Sequence, residues 1–250
     1  MTAYSKKLIA FDLDGTLTES KAPIDKEMAD LFVQLLARKK VAVIGGGGWP
    51  QFQSQFIAGL PASADNLSNL LLLPTSGTCL YVWKGNWVPE YQETLSQIDR
   101  DGIRRAFDSA LKAAGYDKPE KQYGDIIEDR GSQVTFSALG QKAPIELKRQ
   151  WDPDREKRRK IAAILAEKLP AFDIKIGGTT SIDVTKRGIN KAYGIRKLEQ
   201  RLKLEPEDIV FVGDSLFVGG NDYSAKATGV DCVAVSGPEE TKKLIRSWLF

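Results

Sequence analysis

Two aspartates stand one residue apart in Phe11-Asp12-Leu13-Asp14-Gly15-Thr16, at the end of the apolar run Leu8 to Phe11. Such a run reads as a strand buried on both faces. Asp12 and Asp14 then emerge where it leaves the sheet, pointing the same way at a period of two. Two like charges that close are hard to keep ionised without a cation, and carboxylate oxygens with waters suit magnesium. The chemistry open to the pair is attack of Asp12 on a phosphorus atom, with the metal damping the repulsion between anions and Asp14 protonating the leaving oxygen. Gly15 lets the backbone turn toward the phosphate, and Thr16 offers a hydroxyl. A solitary Asp-x-Asp is most often an acidic surface turn, but here the full pattern follows directly on a strand.

The remaining parts of such a site lie far along the chain. Gly213-Asp214 closes the apolar run Ile209 to Val212 and supplies a third carboxylate for the metal if the two strands are neighbours. Gly219-Gly220-Asn221-Asp222 adds a tight turn and a further carboxylate, placed to bind the metal's water shell or to orient Asp214. Lys191 stands at the start of a helix capped by Asn190, where its charge and the helix amino terminus together hold a phosphate. The run Gly45 to Gly48 acts through backbone N–H groups.

Composition removes other chemistries. There is no histidine among the 250 residues, which excludes His-based triads, His-ligated zinc and imidazole bases. A chain of this length, 42% hydrophobic, builds one large domain or two small ones. Cys79 and Cys232 are far apart and read as small buried hydrophobes, which fits a reduced, cytoplasmic setting. Net charge is only +3, without interleaved aromatic and basic residues, so no nucleic-acid partner is expected. Met1 to Lys7 is polar and no run approaches membrane-spanning length, so a soluble protein with no membrane partner is expected. The basic run Arg155 to Lys160 reads as a solvated helix face.

These residues need a scaffold, and the alternation of apolar runs with helical periodicity predicts a parallel α/β sheet. Strands are predicted at Leu8 to Phe11, Val41 to Ile44, Leu70 to Leu73, Ile209 to Val212 and Cys232 to Val235. Helices are predicted through Met28, Leu31, Phe32 and Leu35, from Asn190 through Ile195, Leu198 and Leu202, and from Pro238 onward. A hairpin at Leu80 to Val88 closes the first half. The middle of the chain differs in character, with a helix over Ile98 to Ala113, strands at Gln133 to Ser137, Phe172 to Ile176 and Ser181 to Val184, and a long helix with Asp152 as N-cap and Pro153 at its first position. The expected division is a core of residues 1–89 and 184–250, split in sequence, around a second domain of residues 90–183.

The loop Asp12 to Thr16 resembles the nucleophile loop of the haloacid dehalogenase-like superfamily. The segments Gly213 to Asp222 and Gly177-Gly178-Thr179-Thr180-Ser181-Ile182-Asp183, with the closing Leu249-Phe250, resemble the eukaryotic-type phosphomannomutases of its capped IIB branch. The resemblance implies a Rossmann-like parallel-sheet core with an inserted α+β cap, an aspartyl-phosphate on Asp12, and a magnesium site at Asp12, Asp14, Asp214 and Asp222. It further implies that Lys191 is catalytic, that Gly46 and Gly47 contact substrate, that Arg130 binds a distal phosphate, and that Ser181 and Asp183 bind sugar hydroxyls or phosphate. The chain departs from the family where arginine follows the first loop, here Lys21, and at the cap positions Gln141 and Lys148; Gly47 replaces a serine. Arginine grips phosphate with a planar fork and lysine does not, so a two-phosphate clamp is weakened. The expectation is a magnesium-dependent phosphatase acting on a small phosphorylated sugar, with a phosphomannomutase-like isomerase as the second reading and a non-catalytic phosphosugar-binding protein as a remote third. The number of subunits stays open, a homodimer included.

Overall fold

The strand that carries Asp12 is apolar at every position because helices cover both of its faces. In a computed structural model, which describes residues 5–61 and 63–249, Leu8, Ile9, Ala10 and Phe11 are all fully buried. The closing Phe250 of the carboxyl-terminal pair lies outside the described residues, as do Met1 to Tyr4 of the polar amino terminus.

The chain opens with β1 (Leu8–Phe11), α1 (Lys26–Leu36), β2 (Lys40–Ile44), the short helices α2 (Trp49–Gln55) and α3 (Ala64–Leu67), β3 (Leu70–Leu73) and the hairpin of β4 (Cys79–Trp83) and β5 (Trp87–Gln92). There follow α4 (Gln97–Ala114), β6 (Ile127–Asp129), β7 (Gln133–Ser137), α5 (Ile145–Trp151), α6 (Glu156–Lys168), β8 (Phe172–Gly177) and β9 (Ser181–Lys186). It finishes with α7 (Lys191–Leu202), β10 (Ile209–Gly213), β11 (Asp231–Ala234) and α8 (Pro238–Leu249).

These elements form two units, Met1–Gln92 with Ile189–Phe250, and Glu93–Gly188. A division at 89/90 and 183/184 would cut through two strands. β5 stays hydrogen-bonded to β4 as far as Gln92, and β9 stays in register with β8 as far as Lys186.

In the first unit, seven strands lie in the order β11-β10-β1-β2-β3-β4-β5, the first five parallel and the last two antiparallel. The chain leaves β1 toward β2 and returns on the other side of β1 at β10. A sheet whose strand order reverses in this way opens a crevice at the carboxyl ends of the two strands, and Asp12 and Asp214 each follow one of them. Ile9, Phe11, Val41 and Val43 pack on one face with Met28 and Phe32 of α1 and Ile245 of α8. Leu8, Ala10, Ala42 and Ile44 pack on the other with Ile195 and Leu198 of α7. Burying each large side chain contributes about 1.5–3 kcal/mol, so the frame of the site is set by the hydrophobic core. The Asp25 carboxylate caps α1 by accepting the Met28 N–H at 2.9 Å.

In the second unit, β6-β7-β9-β8 form an antiparallel sheet. Val134, Phe136, Ile182 and Val184 point to one face, under Phe107 of α4 and Ile161 and Leu165 of α6. Strict alternation leaves the opposite face polar.

The expected long helix differs. It begins at Glu156, with Arg155 in the left-handed region before it, while Asp152 ends the separate α5. Asp152 still caps the helix, from a distance: its carboxylate accepts the backbone N–H groups of Lys157 (3.0 Å) and Arg158 (3.2 Å). The basic run is not all solvated, because Arg158 is fully buried. Its guanidinium donates to Asp152 Oδ2 at 2.6 Å and to the carbonyls of Gly177 (3.3 Å) and Gly178 (2.8 Å). One arginine thus ties the start of α6 to the turn between β8 and β9. Cys79 is buried, Cys232 is half-buried, and both are free thiols. Among the described residues no helix is long and apolar enough to cross a membrane.

Candidate active site

Asp12 follows β1 without a break, its N–H bound to the Val212 carbonyl at 2.9 Å, so its carboxylate is held at the mouth of the β1–β10 crevice. Gly15 (φ 88°) turns the loop directly beneath Asp214. A Cβ there would sit 2.8 Å from Asp214 Oδ2, so only glycine permits the approach. The Thr16 hydroxyl joins the two segments, accepting the Asp214 N–H at 3.1 Å and donating to Asp12 Oδ2 at 3.4 Å.

Asp222 reaches the same place from the far end of the loop after β10. Fully buried, it accepts the Ser215 N–H at 3.1 Å through Oδ2. Asp12, Asp214 and Asp222 each offer an oxygen within 4.8 Å of the others. Their electrostatics carry the cost of that crowding. Burial pushes the Asp12 carboxyl well above its ordinary value against the opposing Lys191 ammonium, with Asp222 adding to the rise. Burial, then the charge of Asp222, pushes Asp214 up as well.

Lys191 supplies part of the countercharge. It opens α7, capped by the Asn190 carboxamide, which accepts the Tyr193 N–H at 3.1 Å. α7 packs close to β2 and to the turn between β3 and β4 at Gly194: a Cβ there would lie 3.1 Å from the Ile44 side chain, and a Cβ on Gly77 would come within 2.5 Å of the Gly194 Cα. Buried there, Lys191 Nζ donates to Asp12 Oδ1 and to the Ile44 carbonyl and lies 3.4 Å from Asp222 Oδ1. Burial opposes its charge, but Asp12 and Asp222 outweigh it and hold the ammonium above the ordinary lysine value.

Asp14 stands apart from the carboxylate cluster, contrary to the expectation that its side chain is a metal ligand. Its carboxylate turns toward α2. Oδ1 accepts the Lys21 N–H (2.6 Å) and Gln55 Nε2 (2.8 Å), and Oδ2 accepts Gln51 Nε2 (3.0 Å). Lys21, in the left-handed region at φ 59°, meets Asp14 through its backbone. Gly46 and Gly47 lie in the turn from β2 into α2, where the Gly47 carbonyl accepts the Thr75 N–H at 2.9 Å.

The cap residues fall into two groups. Glu128, Thr135, Asp183 and Lys175 form one row across the polar face of the four-stranded sheet, and Ser137 and Ser181 pair in the next. Gln133 donates to Thr135 Oγ1 (2.8 Å) and Thr135 to Asp183 Oδ1 (2.8 Å). Arg130 donates to Glu128 Oε2 through Nε (3.0 Å) and a terminal nitrogen (2.8 Å). Lys148 is set apart on α5, buried, with Nζ on the Gln141 carbonyl at 2.6 Å.

Sequence reading overlooked Gln51, Gln55 and Lys175. The first two are four residues apart on one helix face just after the glycine run, a spacing that could have drawn notice. Lys175 carried a signal only through its register opposite Asp183.

The decisive comparison is with a family model described as eukaryotic phosphomannomutase, which matches residues 28–250. The chain belongs to that family. Phosphomannomutase 2 of Dictyostelium discoideum is 27% identical over 229 residues, covering 89% of this chain and 88% of that protein. In fold, the chain is similar to the IMP-nucleotidase of Plasmodium falciparum, with a TM-score of 0.75 at 16% identity over 99% of this chain and 69% of that one. A haloacid dehalogenase-like hydrolase from Bacteroides thetaiotaomicron aligns with a TM-score of 0.60 at 13% identity, over 97% of this chain and 99% of that one. The chain is an enzyme, its fold is that of haloacid dehalogenase-like proteins, and the activity of its family is phosphoryl transfer.

Proposed function

We propose that this enzyme is a magnesium-dependent phosphatase of sugar phosphates or similar small phosphomonoesters. The observation that carries the phosphoryl-transfer chemistry is the pairing of buried Asp12 with Lys191 beside Asp214 and Asp222. The donor set suits a hard divalent cation: three carboxylates converge, and Asp222 Oδ1 is buried without a hydrogen-bond partner among the described residues, 3.4 Å from Lys191 Nζ. Asp12, Asp214 and Asp222 would hold that ion, which supplies charge neutralisation between nucleophile and phosphate when bound. Asp12 attacks phosphorus, forming the aspartyl-phosphate as the alcohol leaves. Lys191 holds the charge of Asp12 and of the phosphoryl oxygens. Asp14 gives its proton to the leaving oxygen and later takes one from the attacking water.

Hydrolysis is preferred over mutase action because Gln141 and Lys148 stand where arginines are expected, and the Lys148 ammonium is bound to the Gln141 carbonyl. A phosphomannomutase-like activity is the second reading, favoured by the family match, by Lys175 on the same polar cap face as Ser181 and Asp183, and by Arg130 bound to Glu128 of that face. Incubation with magnesium and a panel of phosphosugars separates the two, following free phosphate and 1-phosphate to 6-phosphate conversion together. Phosphate release without interconversion is expected, and interconversion outpacing release would overturn the hydrolase assignment.

A further inference from the structure

Asp14 is held by a pair of carboxamides that no step above uses. Gln51 Nε2 donates to Asp14 Oδ2 (3.0 Å) and to Gln55 Oε1 (2.8 Å), while Gln55 Nε2 donates to Asp14 Oδ1 (2.8 Å) and to Thr18 Oγ1 (2.6 Å). Each amide nitrogen spends both hydrogens in this ring, and turning either amide over would set its oxygen against the carboxylate. Gln55 is buried and fixed by Thr18. Gln51 is half-buried on the first turns of α2, and its carboxamide occupies the space beside Gly47, where a Cβ would lie 2.3 Å from Gln51 Oε1. A larger residue at 47 would displace the far end of a flexible side chain. That movement is cheap in stability but takes the amide away from Asp14.

We infer that Gln51 is a positioning residue for the proton-transfer group Asp14, and that Gly47 is glycine in order to admit it. This rests on the assignment of Asp14 to leaving-group protonation. Gln51 fixes which way the carboxylate faces, holding Oδ2 while the Gln55 amide and the Lys21 N–H hold Oδ1, so that the proton is delivered along one line. Misplacing such a group harms substrates whose leaving oxygen is basic and spares those whose leaving group departs unaided.

The test compares kcat/KM for a hexose phosphate and for 4-nitrophenyl phosphate in five variants of the magnesium-loaded enzyme. Gln51→Ala is expected to lose about tenfold to a hundredfold on the hexose phosphate and less than about threefold on the nitrophenyl ester, with the loss in kcat rather than KM. Gln51→Glu keeps the volume but replaces the donor with an acceptor. It should do at least as badly, whereas a mere packing role would leave it near wild type. Gly47→Ala should repeat the Gln51→Ala pattern, and the double variant Gly47→Ala with Gln51→Ala should lose less than the product of the two single losses. Equal losses on both substrates, or full additivity, would overturn the inference. Asp14→Asn is the control: a leaving-group split there but none in Gln51→Ala refutes the role of Gln51 alone, and no split in Asp14→Asn removes the protonation role and this inference with it.

Discussion

Lys191 decides whether three neighbouring carboxylates can coexist, because its ammonium is, among the described residues, the cation that meets both Asp12 and Asp222. Lys191→Met should therefore lower kcat by on the order of 10² to 10³, the range for removing one group that stabilises developing charge, with circular dichroism reporting retained fold. A variant within a factor of two of wild type would remove Lys191 from the mechanism. Asp12→Asn keeps the shape and deletes the proposed nucleophile, so turnover should vanish and no acid-stable, base-labile phosphoprotein should accumulate from labelled substrate. On the cap, Arg130→Ala should weaken kcat/KM for doubly phosphorylated substrates by about 1.5–3 kcal/mol more than for simple phosphomonoesters, since one anion loses a charge-assisted partner. Equal losses on both would mean that Arg130, through Glu128, only supports the sheet.

At the scale of the element, α6 depends on a charge the sequence disguises. Asp152 is buried, and although burial works to raise its carboxyl, the bonds from Arg158 and from two backbone N–H groups hold it below the ordinary value. A carboxyl lowered on folding contributes stability that is full above the unfolded value near 4 and is lost as the pH falls through the folded one. The cap should thus lose stability in acid below about pH 4. Asp152→Ala should remove that dependence and destabilise the second unit by about 3–5 kcal/mol at neutral pH, because it leaves the Arg158 guanidinium buried and unpaired. Urea unfolding followed through Trp151 at pH 7 and pH 3 measures both. A loss under about 1 kcal/mol would show that Asp152 and Arg158 do not act as a pair.

For the whole molecule, two carboxyl groups of the site work against the fold at neutral pH. Asp12 and Asp214 are raised above their unfolded values, so keeping them ionised at neutral pH opposes folding, and the penalty disappears as the pH falls below those unfolded values. Magnesium bound to the native state alone should raise the melting temperature, by the equivalent of about 2.7 kcal/mol at a hundred times its dissociation constant. Asp214→Asn should melt at or above wild type in chelator and lose most of the magnesium-dependent rise. A rise as large as in wild type would take Asp214 out of the ion's shell.

The parts legible in the sequence were those written in local pattern. β1, β3 and β7 fall on their apolar or alternating runs because period and burial act over a few residues. The placement of Asp12 after β1, of Asp214 after β10 and of Lys191 at the start of α7 was legible because each needs only a strand end or a helix amino terminus nearby in the chain. What only the tertiary structure decided is which of these groups meet. Asp14 turns to α2 and leaves the cluster because Gln51, Gln55 and the Lys21 N–H offer it three donors, partners that no spacing around Asp14 announces. Arg158 is buried although it lies in a run of exposed basic residues, since the Gly177 and Gly178 carbonyls that receive it come from a turn about twenty residues further along the chain. Local sequence sets the backbone's period, while the direction of a polar side chain is set by the donors and acceptors that folding brings within about 3 Å of it, and those are brought together by packing of the core.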